Sequence, residues 1–224
     1  MFAVEQMEST FRSGGKAVRL DVFQPTDKQK VYPAIIALHG AGGSHQGMSQ
    51  PASLLASHGF AVYVLHYFDR TDTSWADKAT IFRHFPLWMK TLWDAVSHVE
   101  SQGRVDPKRI GLLGFSLGAY LSLSLAAVDG RVRAVVEFFG GLPKEMKLFM
   151  RRLCPVLILH GDADAIVPVA EAYHLQKALE SRKIPYEMQI YPGAGHGFSG
   201  AVWLDAGART LSFLDKYLAS PVEP

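Results

Sequence analysis

Two hydrophobic spacings take turns along this chain. Met7 to Arg12 and Ala17 to Phe23 flank Ser13-Gly14-Gly15-Lys16 and predict a hairpin. Ala34 to Leu38 is a continuous apolar run, as a strand buried on both faces would be, and Ala61 to Leu65 is a second. Between them Gln46 to His58 reads as helix, ending before Gly59. Ala79 to Ser101 is a long helical stretch, expected to break or kink near Pro86. Strand Ile110 to Leu113, helix Leu117 to Val128, strand Ala134 to Phe139 and strand Val156 to Leu159 follow. Helix Val169 to Arg182, strand Tyr186 to Tyr191 and helix Val202 to Leu218 complete the pattern. An antiparallel start followed by repeated βα units predicts a mostly parallel, doubly wound sheet with helices on both faces. Ligands bind such sheets at the C-terminal ends of the strands, so the residues just after strands carry the interest.

Composition narrows the picture. At 224 residues the chain can form one domain with a sizeable core and is short for two. Apolar residues make up 48% and charged residues 20%, which argues against disorder. The net charge is +2 with both signs interspersed, so the clustered basic face of a nucleic-acid binder is missing. A single cysteine, Cys154, forbids an internal disulfide; ahead of Pro155 to Leu159 it reads as a small buried hydrophobe. Met1 to Glu8 shows no basic-then-apolar leader, and no run reaches the roughly 18 apolar residues of a membrane span. The expectation is a soluble cytoplasmic protein, monomer or homodimer, with no membrane or nucleic-acid partner.

The chemistry centres on Gly114-Phe115-Ser116-Leu117-Gly118, a Gly-x-Ser-x-Gly elbow between a strand and a helix. A serine at such a turn sits in strained backbone with its hydroxyl lifted above the sheet edge. The flanking glycines let strand and helix pass closely. The Leu117 N–H, at the helix N-terminus, is placed to stabilise an oxyanion. A serine hydroxyl needs a base, and the base needs an acid to orient it. His196, in the glycine-rich loop Pro192 to Phe198 after the last strand, is the best placed of nine histidines. Asp162 and Asp164 follow the strand ending at Leu159. Asp164 lies further into the loop, just before the helix opened by Val167-Pro168, and is the better candidate. Asp162 reads as a brace that accepts backbone N–H groups. The order Ser116, Asp164, His196 is that of the α/β-hydrolase triad. The second oxyanion donor belongs on His39-Gly40-Ala41-Gly42-Gly43, after the first buried strand: the Ala41 N–H, with Gly42 as the fallback.

On four segments the chain resembles the dienelactone hydrolase-like branch of the α/β-hydrolase fold. They are Leu38 to Gly43, Gly114 to Ala119, His160 to Pro168 and Tyr191 to Phe198, within a likeness running from about Met7 to Tyr217. The resemblance implies a compact core with no separate cap domain, and it also supports Asp164 as the triad acid. Three departures stand out. Dienelactone hydrolases proper carry a cysteine where this elbow has Ser116. They place a glutamate near the oxyanion loop, where His39 stands here. They bind a substrate carboxylate with arginines; Arg70 is the candidate for one, and Gly197 to Gly200 lacks the other. A serine esterase on the same scaffold fits these departures better than dienelactone turnover does.

Pocket candidates are His39, Arg70, Trp75, Phe139 and Phe198, with Trp203 beside the histidine loop. Trp93 reads as core packing. His39, His66 and His160 all end strands, but their spacing matches no zinc signature, so no metal is expected. The resulting expectation is a cofactor-free serine hydrolase cleaving small carboxylic esters. Lactones and thioesters stay open as substrates. A member of the fold that binds a ligand without reacting is the alternative from another class.

Overall fold

In the computed structural model, which describes residues 1–219 apart from the side chains of Lys147, Arg151 and Arg152, the chain opens with the expected hairpin. Strands β1 (Val4–Ser13) and β2 (Lys16–Pro25) pair antiparallel about Gly14 and Gly15, both at positive φ. Then come β3 (Tyr32–Leu38), α1 (Ser49–Ser57), β4 (Ala61–Leu65), α2 (Lys78–Glu100), β5 (Val105–Phe115) and α3 (Leu117–Val128). They are followed by β6 (Val132–Phe138), β7 (Val156–Gly161), α4 (Ala170–Ser181), β8 (Tyr186–Tyr191) and α5 (Gly200–Leu214). All eight strands form one sheet in the order β1-β2-β4-β3-β5-β6-β7-β8. The pairs β1–β2 and β2–β4 are antiparallel; every pair from β4 to β8 is parallel. This is the α/β-hydrolase fold, and no separate cap stands over it among the described residues.

The sheet divides the interior into two cores. On one face Trp88 and Leu92 of α2, Leu121 and Leu125 of α3, and Leu175 and Leu179 of α4 pack against the strands. On the other, Ala52 and Leu55 of α1 and Ala206 and Phe213 of α5 do so. Strands β3, β4 and β7 are buried along their whole length, which is why they read as unbroken apolar runs. Helix α3 is buried apart from Tyr120 and Val128, because sheet, α2 and the 3-10 segment Lys144–Arg152 enclose it.

Three features depart from the periodicity. Helix α2 continues through Pro86. The carbonyl that Pro86 leaves without a donor belongs to Phe82, which is 88% exposed, so water can satisfy it. The buried stripe of α2 begins only at Trp88, after the proline. Trp93 is not core: it is 47% exposed, with the Arg131 guanidinium 5.7 Å from its ring centre. Helix α5 ends at Leu214 and gives way to a π-turn at Asp215–Ala219, where Arg109 donates to the Leu218 and Ala219 carbonyls. No helix among the described residues is long and apolar enough to cross a membrane.

Candidate active site

Strand β5 delivers Ser116 to the C-terminal edge of the sheet, between two strands that also end there. Ser116 has φ 53° and ψ −116°, a left-handed conformation that costs a non-glycine residue about 1–3 kcal/mol. Its N–H is held by the Phe138 carbonyl at 2.9 Å, and its own carbonyl accepts from Ala119 and Tyr120 at 2.9 and 3.2 Å. The two elbow glycines are there for space. A Cβ on Gly114 would strike the Gly118 carbonyl, and one on Gly118 would lie 2.7 Å from the His39 carbonyl oxygen. Helix and strands therefore touch backbone to backbone at this point.

The structure brings Ser116, His196 and Asp164 together in one chain of hydrogen bonds. His196 Nε2 lies 2.9 Å from Ser116 Oγ, and His196 Nδ1 lies 2.7 Å from Asp164 Oδ2. A carboxylate can only accept, so Nδ1 carries the proton and the Nε2 lone pair faces the serine hydroxyl. Asp164 is itself clamped: its Oδ1 accepts from the Ile166 and Val167 N–H groups at 2.8 and 2.9 Å. Burial alone would raise its carboxyl, but the His196 hydrogen bond and these two amides hold it below the usual carboxylate value. His160, wholly buried, donates from Nε2 to the Val167 carbonyl at 2.9 Å and lies 3.5 Å from Asp164 Oδ2, the oxygen that also meets His196. Asp162 braces the histidine loop by accepting from the Gly193 N–H at 2.7 Å.

The loop after β3 runs directly over the serine. A Cβ on Gly40 would stand 3.3 Å from Ser116 Cβ and 3.9 Å from its Oγ. The Gly40 carbonyl takes two donors, Gly43 N–H at 3.1 Å and His39 Nδ1 at 2.8 Å, so the Gly40–Ala41 peptide plane is fixed. The Ala41 carbonyl accepts from Ala76 N–H at 2.9 Å, which fixes the next plane. The N–H groups of Ala41 and Gly42 have no acceptor among the described residues. Leu117 is the first residue of α3, so its N–H has no intrahelical acceptor.

The five pocket candidates are placed unequally. Phe139 and Phe198 are at the site: the Phe139 ring lies 4.8 Å from the His196 ring and 5.3 Å from Phe198. Trp75 is 63% exposed, on the segment whose next residue, Ala76, binds the Ala41 carbonyl. His39 is a packing residue instead. It is buried, stacks on Tyr67 at 4.3 Å, and burial pushes its imidazole down to about 4. Arg70 is turned away. Its guanidinium packs on Gly14 in the β1–β2 hairpin, three strands from β5, because the 3-10 turn Tyr67–Thr71 after β4 points it to the sheet edge. His39, His66 and His160 each have a separate partner, and no metal-holding group of His, Cys, Asp and Glu occurs among the described residues. Cys154 is half-buried against the core, and burial pushes its thiol up to about 12.

One buried group behind the elbow escapes sequence reasoning. Glu137, at the end of β6, is completely buried, and its Oε2 accepts from Gly140 N–H at 2.8 Å while Oε1 has no partner. Burial raises its carboxyl to about 8. The available signal was a lone acid inside the apolar run Ala134 to Phe139.

Comparison with known proteins shows the family and the fold. The family model described as "Dienelactone hydrolase family" matches residues 18–202. The chain belongs to that family. A Yersinia pestis relative named "Putative carboxymethylenebutenolidase" is 26% identical over 210 residues, covering 86% of this chain and 78% of the relative. Mouse mitochondrial acyl-coenzyme A thioesterase 2 is 31% identical over 179 residues, which span 76% of this chain but only 37% of that protein. Among solved structures, a dienelactone hydrolase-like promiscuous phosphotriesterase from metagenomic libraries superposes with a TM-score of 0.84 at 19% identity, covering 96% of this chain and 99% of that one. That likeness shows the fold. Family membership places the chain among hydrolases of esters or lactones.

Proposed function

We propose that this family member cleaves small, neutral carboxylic esters through an acyl-enzyme on Ser116. The observation that carries the reading is the unbroken chain from Asp164 through His196 to Ser116 Oγ. Ser116 Oγ attacks the ester carbonyl while His196 Nε2 takes its proton. Asp164 keeps the imidazole in the needed tautomer and stabilises the imidazolium. The Leu117 and Ala41 N–H groups receive the oxyanion, an effect of about 3–4 kcal/mol per donor in well-studied cases. His196 then protonates the departing alcohol, and water repeats the sequence on the acyl-serine. The chemistry needs no cofactor beyond these side chains and water. The turned-away Arg70 favours neutral esters over substrates anchored by a carboxylate. Lactones and thioesters deliver an acyl group to the same serine, and the relatives' names make them the next substrates to assay.

The test is initial rates on p-nitrophenyl esters with wild type and Ser116→Ala, alongside labelling by a fluorophosphonate. The alanine variant should lose roughly 10^4-fold or more in kcat and all labelling. An alanine variant that keeps most of its activity would sink the nucleophile assignment. A wild type that neither turns over nor labels would point to the binding-only alternative.

A further inference from the structure

Among the described residues, the non-glycine residues with positive φ are Asp72, Ser116, Phe139 and Lys183. Asp72 and Lys183 lie in exposed turns just past helical segments, where left-handed backbone is an ordinary way to stop a helix. Ser116 and Phe139 differ from them. They end the neighbouring parallel strands β5 and β6, each one residue beyond the paired Phe115 and Phe138. The Ser116 N–H donates to the Phe138 carbonyl at 2.9 Å, so the two strained turns are bonded to each other. Strain at Ser116 lifts the nucleophile. Strain at a bulky residue such as Phe139, with φ 42°, needs an explanation of its own.

The Phe139 ring supplies one. It is 7% exposed and lies against the His196 imidazole, 4.8 Å between ring centres with the planes at 59°. The ring is itself packed by Phe198 at 5.3 Å and Phe115 at 5.9 Å. His196 rides on a loop with glycines at 193, 195 and 197, two of them at positive φ, so the backbone of that loop restrains it little. The hydrogen bonds to Asp164 and Ser116 fix the two ring nitrogens, but they lie along the imidazole plane and resist its tilting only weakly. A packed ring against the imidazole resists that tilt.

The turn that carries Phe139 is tethered on both sides. The Phe139 N–H donates to the Leu159 carbonyl at 2.8 Å, and the Gly140 N–H donates to Glu137 Oε2 at 2.8 Å. Gly140 has no room for a side chain: a Cβ there would stand 2.3 Å from Ala119 Cβ and 3.2 Å from the Ser116 carbonyl oxygen. The turn is thus wedged against the elbow helix. Glu137 is completely buried, and that amide is its one hydrogen-bond partner among the described residues. A buried carboxyl with one oxygen unpartnered is unfavourable in itself, so what distinguishes it from an apolar side chain there is the acceptor it offers Gly140. Resting on the Ser116 ester-hydrolase reading, we propose that Phe139 and Glu137 are positioning residues for the general base: Glu137 pins the Phe139–Gly140 turn, and the turn holds the Phe139 ring against His196 so that Nε2 stays aligned on Ser116 Oγ.

The test measures kcat and KM for p-nitrophenyl acetate and p-nitrophenyl hexanoate in wild type, Phe139→Leu, Glu137→Leu and Glu137→Gln. His196 serves both acylation and deacylation, so tilting it slows both steps and leaves KM in place. Phe139→Leu and Glu137→Leu should each lower kcat about tenfold or more, by the same factor for both esters. Glu137→Gln keeps an acceptor for Gly140 and should stay within about threefold of wild type, a rescue that loss of packing alone would not give. A Phe139→Leu loss that falls on KM, or that deepens from acetate to hexanoate, would make Phe139 a wall of the substrate pocket and overturn the proposal. An unchanged kcat in that variant overturns it too, and Phe139→Leu decides the matter alone if Glu137→Leu does not fold. A folded Glu137→Leu with wild-type kcat, or a Glu137→Gln as slow as Glu137→Leu, removes Glu137 from the device. All these outcomes leave ester hydrolysis standing. If wild type cleaves neither ester, the hydrolase reading itself fails, and the positioning role falls with it.

Discussion

Glu137→Gln should stabilise the protein increasingly as pH rises. Glu137 has no exposed surface, one oxygen bound to Gly140 N–H and the other without a partner. Burial moves its carboxyl from 4.5 in the unfolded chain to about 8 in the fold. Between those values the folded protein keeps a proton that unfolding releases. Stability contributed by the neutral acid is therefore full below the unfolded value and is lost as pH climbs toward the folded one, at about 1.4 kcal/mol per pH unit. Integrated from pH 5 to pH 8, the loss is roughly 3–4 kcal/mol. Glutamine does not titrate, and its carbonyl can still accept from Gly140. Every other titrating group is common to both proteins, so the difference in unfolding free energy isolates Glu137. Urea unfolding of both proteins at pH 5, 6, 7 and 8 measures it. The variant's advantage should grow by about 3 kcal/mol across the series. A difference that stays level with pH, whatever its sign, would show that Glu137 is ionised or solvated in the folded state and would refute the reasoning.

Two further substitutions probe the elbow and its base. Asp164→Asn turns an amide donor toward His196 Nδ1, forces the other tautomer and should lower kcat by about 10^3–10^4-fold, read on p-nitrophenyl acetate; a variant retaining a tenth of wild-type kcat would remove Asp164 from the chemistry. Gly118→Ala puts a Cβ against the Leu38 and His39 carbonyls, rigid backbone on a buried strand end, and should cost about 1–3 kcal/mol in denaturant unfolding. An unchanged midpoint would mean that α3 can slide away from β3 freely.

What could be read before the structure divides along a physical line. Strand β4 and helix α3 fall where the pattern put them, at Ala61–Leu65 and Leu117–Val128, because both are buried along nearly their whole length and bounded by sharp turns. The Ser116, Asp164 and His196 segments were legible for a related reason: each carries its own backbone constraint, a strained turn or a glycine-rich loop at a strand end. Residues whose part depends on what faces them were not legible. His39 and Arg70 sit at the strand ends where pocket residues belong. Yet one is consumed by stacking on Tyr67, and the other is drawn to Gly14 by a hairpin more than fifty positions earlier. Helix α2 survives Pro86 because its buried stripe starts only at Trp88, a fact about packing that no local propensity contains. The cavity between α1 and α5, lined by Leu54, Phe115 and Gly207, is the extreme case, since a void between two helices is a property of their approach rather than of either stripe. Its one trace in the sequence is Gly207, a helix-weakening residue in a stretch that otherwise reads as helix. A glycine that neither turns the chain nor makes room for a neighbour marks space left between packed elements, so such positions inside helices are where a void can be sought from sequence.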